Sequence, residues 1–297
     1  MGSIIGGRLA QAGNDVTLVD VVQPVVDVLS SSGLRIESKD GTVATIPIKA
    51  TTQPASVGVV DLVLVFVKCY HTEAAIKAAA PLIGPATRVL SLQNGWGNGP
   101  RIAGIVGEER VLLGVCYHSA NVLGPGRIKH GGQGPTHLGA WRSKPDGSVG
   151  RIAETFKAAG LETHVAADVV REIWSKLALN ICTLPTAALL RLEAGQLIQH
   201  PGVVDLMAAL LKETVAIAHA RQIPLDYHER WEAITGLLKR IAPGAKPSML
   251  QDVEARRRTE IDVINGAIVA AGRELNIATP HNDDMVWMVQ SLENTFK

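Results

Sequence analysis

The residues best suited to chemistry in this chain are a lysine and an asparagine four positions apart, Lys176 and Asn180. Residues 172–180 are predicted to form a helix because apolar residues form one stripe, at positions 173, 174, 177, 178 and 181. Positions four apart share one side of a helix, so the ammonium and amide groups can reach a single point. The lysine could donate a proton there while the asparagine orients a bound group. The alternative is a lysine that lies along the surface beside a core helix.

Composition and charge exclude several classes of function. The 297 residues are 46% hydrophobic and 19% charged, with a net charge of +1, which is typical of a soluble globular protein long enough for two domains. We expect no nucleic-acid and no membrane partner, because so weak a field would steer neither. No uninterrupted apolar run approaches the roughly 20 residues of a membrane span, and no signal peptide is evident. Three widely separated cysteines predict reduced thiols in a cytoplasmic protein.

Metal binding is not expected. Three histidines, His118, His130 and His137, fall among short strands and Gly/Pro turns in residues 111–139. We interpret these strands as antiparallel additions to the edge of a sheet. The histidines are unevenly spaced and lack carboxylate companions, which favours hydrogen-bonded strand histidines over metal ligands.

The first residues match the second half of a dinucleotide-binding βαβ unit. Residues 1–12 are predicted to form a helix, and residues 15–20 a strand that ends in Asp20. Asp20 lies 18 residues after Gly2, close to the roughly 20 residues between the last glycine of the fingerprint and the ribose-binding acid. We therefore expect that the first strand and the first two glycines are missing, through truncation or a start codon set too late. Small residues at a helix–sheet contact explain the glycines equally well.

Polar residues follow each predicted strand of this half. Residues 33–50 alternate like a hairpin around Asp40-Gly41, and residues 59–67 form an apolar run typical of a parallel strand buried on both faces. Lys68 ends that run, and Asn94 follows the next strand, residues 88–92. Ligands of open α/β sheets bind beyond the carboxyl ends of strands, which is where Asp20, Lys68 and Asn94 are expected.

Helices are predicted to replace strands from about residue 168. The helical periods, broken at several prolines including Pro185, cover residues 168–190, 203–222, 227–240, 249–274 and 280–294. We expect an α/β domain at 1–167 and an all-α domain at 168–297, with the active site in the cleft between them and Lys176 projecting into it. Ser248 is the expected N-cap of the long helix 249–274. On that helix, Glu260 could alternatively lie on an exposed face and pair with Arg256.

The sequence resembles the ketopantoate reductase (2-dehydropantoate 2-reductase) family from end to end. The segments that carry the resemblance, in the family's order and spacing, are MGSIIGGRLAQAGNDVTLVD, VFVKCYHT, LQNGWG, LGPGRIKH, WSKLALN and KPSMLQDVEARRRTEIDVINGAIV. The resemblance implies a Rossmann-type domain followed by a helical domain. It also implies NAD(P)H-dependent reduction of a 2-keto acid, with ketopantoate in pantothenate biosynthesis as the first candidate. A cytoplasmic homodimer that acts on a small molecule is expected.

The resemblance also implies roles for individual residues. Lys176 matches the family's catalytic lysine, a general acid toward the carbonyl oxygen, and Glu260 matches a glutamate near it. Hydride delivery builds negative charge on that oxygen, so an ammonium group both stabilises the charge and donates the proton. A neighbouring carboxylate would keep the lysine charged and in place. The implied substrate-binding residues are Asn94, Asn180 and Ser248, and the implied cofactor-binding residues are Gly2, Ser3, Asp20, Lys68 and Asn94.

Two positions depart from the family pattern. Leu184 stands where the family commonly has a second asparagine, so the substrate could be a more apolar, branched or aromatic 2-keto acid. Asp20 is followed by Val21-Val22, whereas the family usually prefers NADPH and often places an arginine there. An acid at this position binds the ribose diol and repels a phosphate, which favours NADH, although Lys68 could still bind a phosphate. A catalytically silent dinucleotide-binding or redox-sensing protein is the alternative that the missing strand raises.

Overall fold

The computed structural model describes residues 1–142 and 146–296, and the chain divides into two compact units. The first, Met1–Gln93 with Asn98–Val169, contains the sheets and is called the α/β unit. The second, Asn94–Gly97 with Val170–Lys297, is called the helical unit. An α/β Rossmann-type fold followed by helices confirms the predicted fold class.

The α/β unit alternates helices and strands along the chain. Its helices are α1 (Gly2–Gln11), α2 (Gln23–Ser32), α3 (Thr72–Ala78), α4 (Asn98–Val106) and α5 (Ser148–Ala158). Its strands are β1 (Thr17–Val19), β2 (Leu34–Glu37), β3 (Val43–Ile46), β4 (Lys49–Thr51), β5 (Val60–Val65), β6 (Ile83–Ser91), β7 (Val111–Cys116), β8 (Ser119–Gly124), β9 (Arg127–Gly132), β10 (Thr136–Ala140) and β11 (Thr163–Val165).

These strands form three sheets. The largest has the order β11-β10-β7-β6-β5, with β5, β6 and β7 parallel to one another and β10 antiparallel to β7. A four-stranded sheet has the order β3-β2-β9-β8, and β1 pairs with β4 in a parallel two-stranded sheet. The antiparallel pair β2–β3 confirms the predicted hairpin, with Leu34 opposite Ile46.

Helix α1 packs between two sheets, and two of its glycines make that possible. Its Ile5 belongs to a core with β6, β7, β10 and α5, while the adjacent Ile4 belongs to a second core with α2, β2 and β3. A Cβ on Gly6 would lie 2.8 Å from a methyl carbon of Leu18, and one on Gly7 would lie 2.7 Å from a methyl carbon of Leu34. Helix and strands therefore meet closely because these residues have no side chains.

Two expectations for this unit were wrong. Strand β5 is not buried on both faces: of its residues only Val65 is fully buried, because β5 is the edge strand of its sheet. The strands of residues 111–139 are not one antiparallel addition either. Strand β7 is completely buried and parallel to β6, whereas β8 and β9 join β2 in another sheet. Apolar runs and Gly/Pro turns identified these strands, but such local patterns carry no information about which strands are neighbours in a sheet.

The described part of the helical unit contains six α-helices. They are α6 (Val169–Leu190), α7 (Pro201–Ala220), α8 (Tyr227–Arg240), α9 (Ser248–Glu254), α10 (Asn265–Leu275) and α11 (Pro280–Asn294). Four of the five predicted helical periods are confirmed within a few residues. Helix α6 has the length and mean hydropathy, 1.3, of a membrane span, but 72% of its most apolar stretch is buried inside the described protein, as in a core helix.

The fifth prediction, one long helix over residues 249–274, was wrong. Helix α9 ends at Glu254, and α10 begins only at Asn265. Between them Arg256 has φ +51°, in the left-handed region, and the N–H and hydroxyl groups of Thr259 both donate to the Glu293 carboxylate of α11. Tertiary hydrogen bonds thus replace helical ones. We call residues 260–265, which include the single 3₁₀ turn Ile261–Val263, the Glu260 segment.

Two proline-linked expectations also need correction. Ser248 is the first helical residue of α9, and Pro247, not Ser248, is its N-cap. Pro185 does not break α6, which continues to Leu190. A proline has no N–H to donate to the carbonyl four residues earlier, which here is that of Ile181. The Asn265 side chain supplies the missing donor, with Nδ2 3.4 Å from the Ile181 oxygen.

Candidate functional site

Helix α6 presents Lys176 and Asn180 at the edge of its buried face. All five residues of the predicted apolar stripe are buried, which confirms the orientation of the helix. Lys176 is half-buried, and Asn180 is only 7% exposed. A lysine that merely lies along the surface would not account for the buried amide of Asn180 one helical turn away. The arrangement therefore favours an ammonium group and an amide that serve the same small region.

Asn94 belongs to a four-residue loop that packs within the helical unit. The loop is Asn94–Gly97, which follows β6 and precedes α4 in the chain. Its Trp96 N–H donates to the carbonyl oxygen of Val263 at 2.8 Å. The Trp96 ring meets the Trp174 ring of α6 edge to face, with centroids 5.7 Å apart. Asn94 is thereby held on the unit that carries the proposed catalytic lysine.

Glu260 is buried, with 7% of its surface exposed. It precedes the 3₁₀ turn Ile261–Val263 and does not lie on a helix, so an exposed helical face with an Arg256–Glu260 pair is the wrong description. Arg256 instead donates to the backbone oxygen of Thr295 at 2.7 Å. A buried carboxylate is costly unless charged or hydrogen-bonding partners hold it, which is typical of a functional position rather than of a solvated surface.

Three contacts join the elements that carry Asn94, Lys176 and Glu260. The loop bonds to the Glu260 segment through Trp96 and Val263, and it packs on α6 through Trp96 and Trp174. The Glu260 segment bonds to α6 through Asn265 and Ile181. Each element therefore contacts the other two, and the predicted residues come from one closed triangle of contacts.

Two other residues of the helical unit bear on the substrate, Ser248 and Leu184, and they differ in exposure. Ser248 is exposed at the start of α9, and its contact with a substrate carboxylate stays a prediction. Leu184 is buried one turn after Asn180, on the same side of α6. The polar pair Lys176 and Asn180 is thus followed by an apolar side chain.

The cofactor-binding candidates Gly2, Ser3, Asp20 and Lys68 lie in the α/β unit. Gly2 and Ser3 form the first turn of α1, which contains no acidic residue and follows Met1, whose side chain cannot accept a capping hydrogen bond. Free N–H groups at a helix N-terminus suit a phosphate. Lys68 is half-buried and directly precedes the short 3₁₀ turn Cys69–His71, after β5.

Asp20 follows the last residue of β1 and is half-buried. Its Oδ1 accepts the Val22 N–H at 2.9 Å, and its own N–H donates to the Thr51 oxygen at 3.2 Å. These bonds hold the carboxylate at the strand end and leave the second oxygen able to accept from a ribose diol. Together with the first turn of α1, these groups fit a nicotinamide dinucleotide.

Several residues that order the site were missed from the sequence. Gln93 fixes the strand ends, since its Nε2 donates to Val67 O at 2.7 Å and to Thr72 Oγ1 at 2.8 Å. Trp96, Val263 and Asn265 make the contacts that join the three elements. The only signal for Trp96 was its place beside Asn94 in LQNGWG, and a backbone carbonyl such as that of Val263 leaves no signal in a sequence.

Comparison with known proteins identifies relatives over the whole chain. The family model described as ketopantoate reductase PanE/ApbA matches residues 1–143, and the model of its C terminal matches residues 168–293. The 2-dehydropantoate 2-reductase of Halobacterium salinarum is 32% identical, with 94% of this chain and 91% of the relative covered. That of Pyrococcus horikoshii is 32% identical, with 99% and 95% covered.

Solved structures agree with this assignment. A D-mandelate dehydrogenase with NADH and anilino(oxo)acetate has a TM-score of 0.94 and 27% identity, covering 100% of this chain and 96% of that chain. A PanE/ApbA family ketopantoate reductase from Ralstonia eutropha has a TM-score of 0.88 and 30% identity, with 98% and 95% covered. On the strength of both family models and the full-length relatives, this protein belongs to the ketopantoate reductase PanE/ApbA family.

Proposed function

We propose that this protein is an NAD(P)H-dependent reductase of 2-keto acids that converts 2-dehydropantoate to pantoate. The observation that carries the proposal is the triangle of contacts that gathers the elements of Asn94, Lys176 and Glu260. The relatives named 2-dehydropantoate 2-reductase support the reaction class. In such a site the half-buried lysine can donate the proton, the buried carboxylate can hold the lysine, and the two amides can orient the keto acid.

In this proposal Lys176 is the general acid. Its ammonium group donates a hydrogen bond to the substrate carbonyl oxygen, stabilises the negative charge that develops there and transfers a proton to it. Glu260 keeps Lys176 charged and directed, because a buried carboxylate favours an ammonium neighbour. Asn94 and Asn180 orient the keto acid, and Ser248 binds its carboxylate end. When bound, the nicotinamide cofactor supplies the hydride.

We further propose that NADH is preferred over NADPH. The support for this preference is that an acid at the end of the second strand of a dinucleotide-binding unit repels a 2′-phosphate, and that Asp20 is followed by Val21 and Val22 instead of a cation. The D-mandelate dehydrogenase structure contains NADH. Asp20→Ser should raise kcat/KM with NADPH relative to NADH by about tenfold or more, since removal of the charge repulsion is worth at least 1.4 kcal/mol. A wild-type preference for NADPH would refute this assignment.

A second candidate substrate class is a more apolar 2-keto acid. Leu184 is buried on the side of α6 that carries Lys176 and Asn180, so the polar site continues into an apolar position. The D-mandelate dehydrogenase among the solved structures has the higher TM-score of the two described above. A panel of branched and aromatic 2-keto acids, assayed beside ketopantoate with both cofactors, separates the two classes by kcat/KM.

The decisive test of the function is replacement of Lys176. Lys176→Ala should lower kcat by about 10²–10⁴-fold, the usual contribution of a general acid, while the affinity for NADH changes little. Lys212→Ala, at an exposed position of α7, is the matched control and should keep full activity. Unchanged turnover in Lys176→Ala would remove the lysine from its role. NADH binding without turnover in the wild type would instead indicate a catalytically silent dinucleotide-binding protein.

Assembly and location complete the proposal. We expect a cytoplasmic homodimer that serves pantothenate biosynthesis. Helix α11 exposes the apolar side chains of Trp287 and Met288, and burial of such surface stabilises a dimer. Light scattering after size-exclusion chromatography measures the mass, and the 31.5 kDa of a single chain would contradict the dimer.

A further inference from the structure

The loop that carries Asn94 touches the Glu260 segment more closely than any side chain would allow. Gly95 has φ +83°, and a Cβ built on it would lie 2.4 Å from the carbonyl oxygen of Val263 and 2.9 Å from its carbonyl carbon. Backbone atoms cannot move aside as a flexible side chain can. Gly95 is therefore required by the close approach of two backbones, and it immediately follows Asn94.

The next residue, Trp96, holds the loop through two contacts. The Trp96 N–H donates to the same Val263 oxygen at 2.8 Å, and Val263 lies three residues after Glu260. The Trp96 ring contacts Trp174, which is fully buried in α6 two residues before Lys176. One residue thus determines the distance of the loop from the element of Glu260 and from the element of Lys176.

We propose that Gly95 and Trp96 are positioning residues that set Asn94 relative to Lys176 and Glu260. This inference rests on the reductase function proposed above. Neither residue is assigned a contact with substrate: they act through Asn94, whose backbone is continuous with theirs. Carbonyl reduction depends on this placement, because a displacement of about 1 Å in a catalytic group can lower a rate by about 10²-fold.

The same loop offers a matched control. Gly97 also has a positive φ, +103°, but a Cβ on it would have no neighbour within 4 Å. Alanine at either position meets the backbone strain of a positive φ, whereas only Gly95→Ala must also push the loop away from Val263. Comparison of the two variants separates displacement of the loop from strain in it.

The first measurement is amide hydrogen exchange, which needs no cofactor. The Trp96 N–H is protected by its bond to Val263, so exchange in the peptide that contains it should accelerate in Gly95→Ala and stay near the wild-type rate in Gly97→Ala. The second measurement is steady-state reduction of a 2-keto acid. We expect kcat to fall about 10²-fold in Gly95→Ala and less than about threefold in Gly97→Ala, with the KM of the keto acid changed much less than kcat.

Substitutions of Trp96 test the proposal a second way if the glycine variant does not fold. Trp96→Phe keeps an aromatic ring for Trp174 and should retain kcat within about threefold, while Trp96→Ala should lower kcat about tenfold with little change in KM. A purely structural role would change the urea midpoint of Trp96→Ala but leave kcat intact in the folded protein.

The possible outcomes are distinct. Equal kcat in Gly95→Ala and Gly97→Ala, or lost amide protection in Gly95→Ala with kcat retained, would overturn the positioning role while the reductase function stands. A wild-type protein that reduces no 2-keto acid would overturn the proposed function, and the positioning role with it.

Discussion

The hydrogen bond from Asn265 to the proline-containing helix α6 leads to a testable prediction about the free energy of unfolding. Asn265 is fully buried, and its Nδ2 donates to Asn282 Oδ1 at 3.0 Å and to the Ile181 oxygen at 3.4 Å. Asn265→Ala leaves both acceptors without this donor. A buried acceptor without a partner costs about 1–3 kcal/mol, and the longer bond to Ile181 belongs at the lower end of that range. We therefore expect a loss of about 2–4 kcal/mol in the free energy of unfolding.

Pro185 determines how much of this loss comes from Ile181. Pro185→Ala restores the backbone N–H that a regular helix offers to the Ile181 carbonyl. In that background the carbonyl has its own partner, so Asn265→Ala should lose only the bond to Asn282. The expected coupling between the two substitutions is about 1 kcal/mol, measured in a double-mutant cycle.

The assay is equilibrium unfolding in urea followed by tryptophan fluorescence. Four of the five tryptophans, namely Trp96, Trp174, Trp231 and Trp287, belong to the helical unit, so the signal reports mainly on that unit. Pro201→Ala is the control, because Pro201 is the first residue of α7, where a missing N–H has no intrahelical acceptor. Additivity of Asn265→Ala and Pro185→Ala within about 0.3–0.5 kcal/mol would refute the reasoning.

Two further predictions concern the α/β unit. Burial, followed by the charges of His130 and Arg8, lowers the pKa of His118 from 6.5 to about 4. The folded state therefore binds this proton less readily than the unfolded state, so stability is complete above about pH 6.5 and declines as the pH falls toward 4. His118→Gln should flatten that decline by about 1 kcal/mol after allowance for partial exposure, as measured by urea midpoints at pH 7 and pH 4.5, and an equal decline in the wild type and the variant would contradict this. Gly7→Ala should lower the free energy of unfolding by about 1–3 kcal/mol, because the added methyl group overpacks against Leu34. Gly2→Ala, whose Cβ meets only Phe66 at 3.5 Å, should keep the stability but weaken NADH binding in a fluorescence titration. A stable Gly7→Ala protein, or a Gly2→Ala protein that is destabilised but binds NADH normally, would contradict these assignments.

Local patterns predicted most of the elements. The stripe along residues 173–181 is buried as expected, and the Asp40-Gly41 turn joins β2 to β3. In each case neighbouring residues decide the conformation, so periodicity and turn chemistry are sufficient. The histidine interpretation also succeeded for one pair, because His118 Nδ1 and His130 Nε2 lie 3.0 Å apart.

The failures have distant causes. Residues 249–274 have the apolar spacing of one helix, but Glu293, more than 30 residues later, draws Thr259 out of helical geometry. Pro185 was predicted to break its helix, but Asn265, 80 residues later in the chain, supplies the hydrogen-bond donor that the Ile181 carbonyl would otherwise lack. Spacing singled out Lys176 and Asn180, and the end of a strand singled out Asn94, but Glu260 and Ser248 as site residues, and the role of each residue, came from resemblance to a family. Spacing along the chain cannot show that the elements of Asn94, Lys176 and Glu260 meet.

The loop Asn94–Gly97 makes the helical unit discontinuous in sequence. A gene fragment that begins near residue 168 would encode all six helices but not the tryptophan that covers Trp174 or the amide that occupies the Val263 oxygen. Such a fragment would lack Asn94 and the loop that contacts the Trp174 ring and the Val263 oxygen. Exchange of C-terminal halves between relatives would likewise combine the loop of one parent with the residues that contact it, at positions 174 and 263, from the other parent. Recombination in this family should therefore succeed where residues 94–97, 174 and 263 are inherited together.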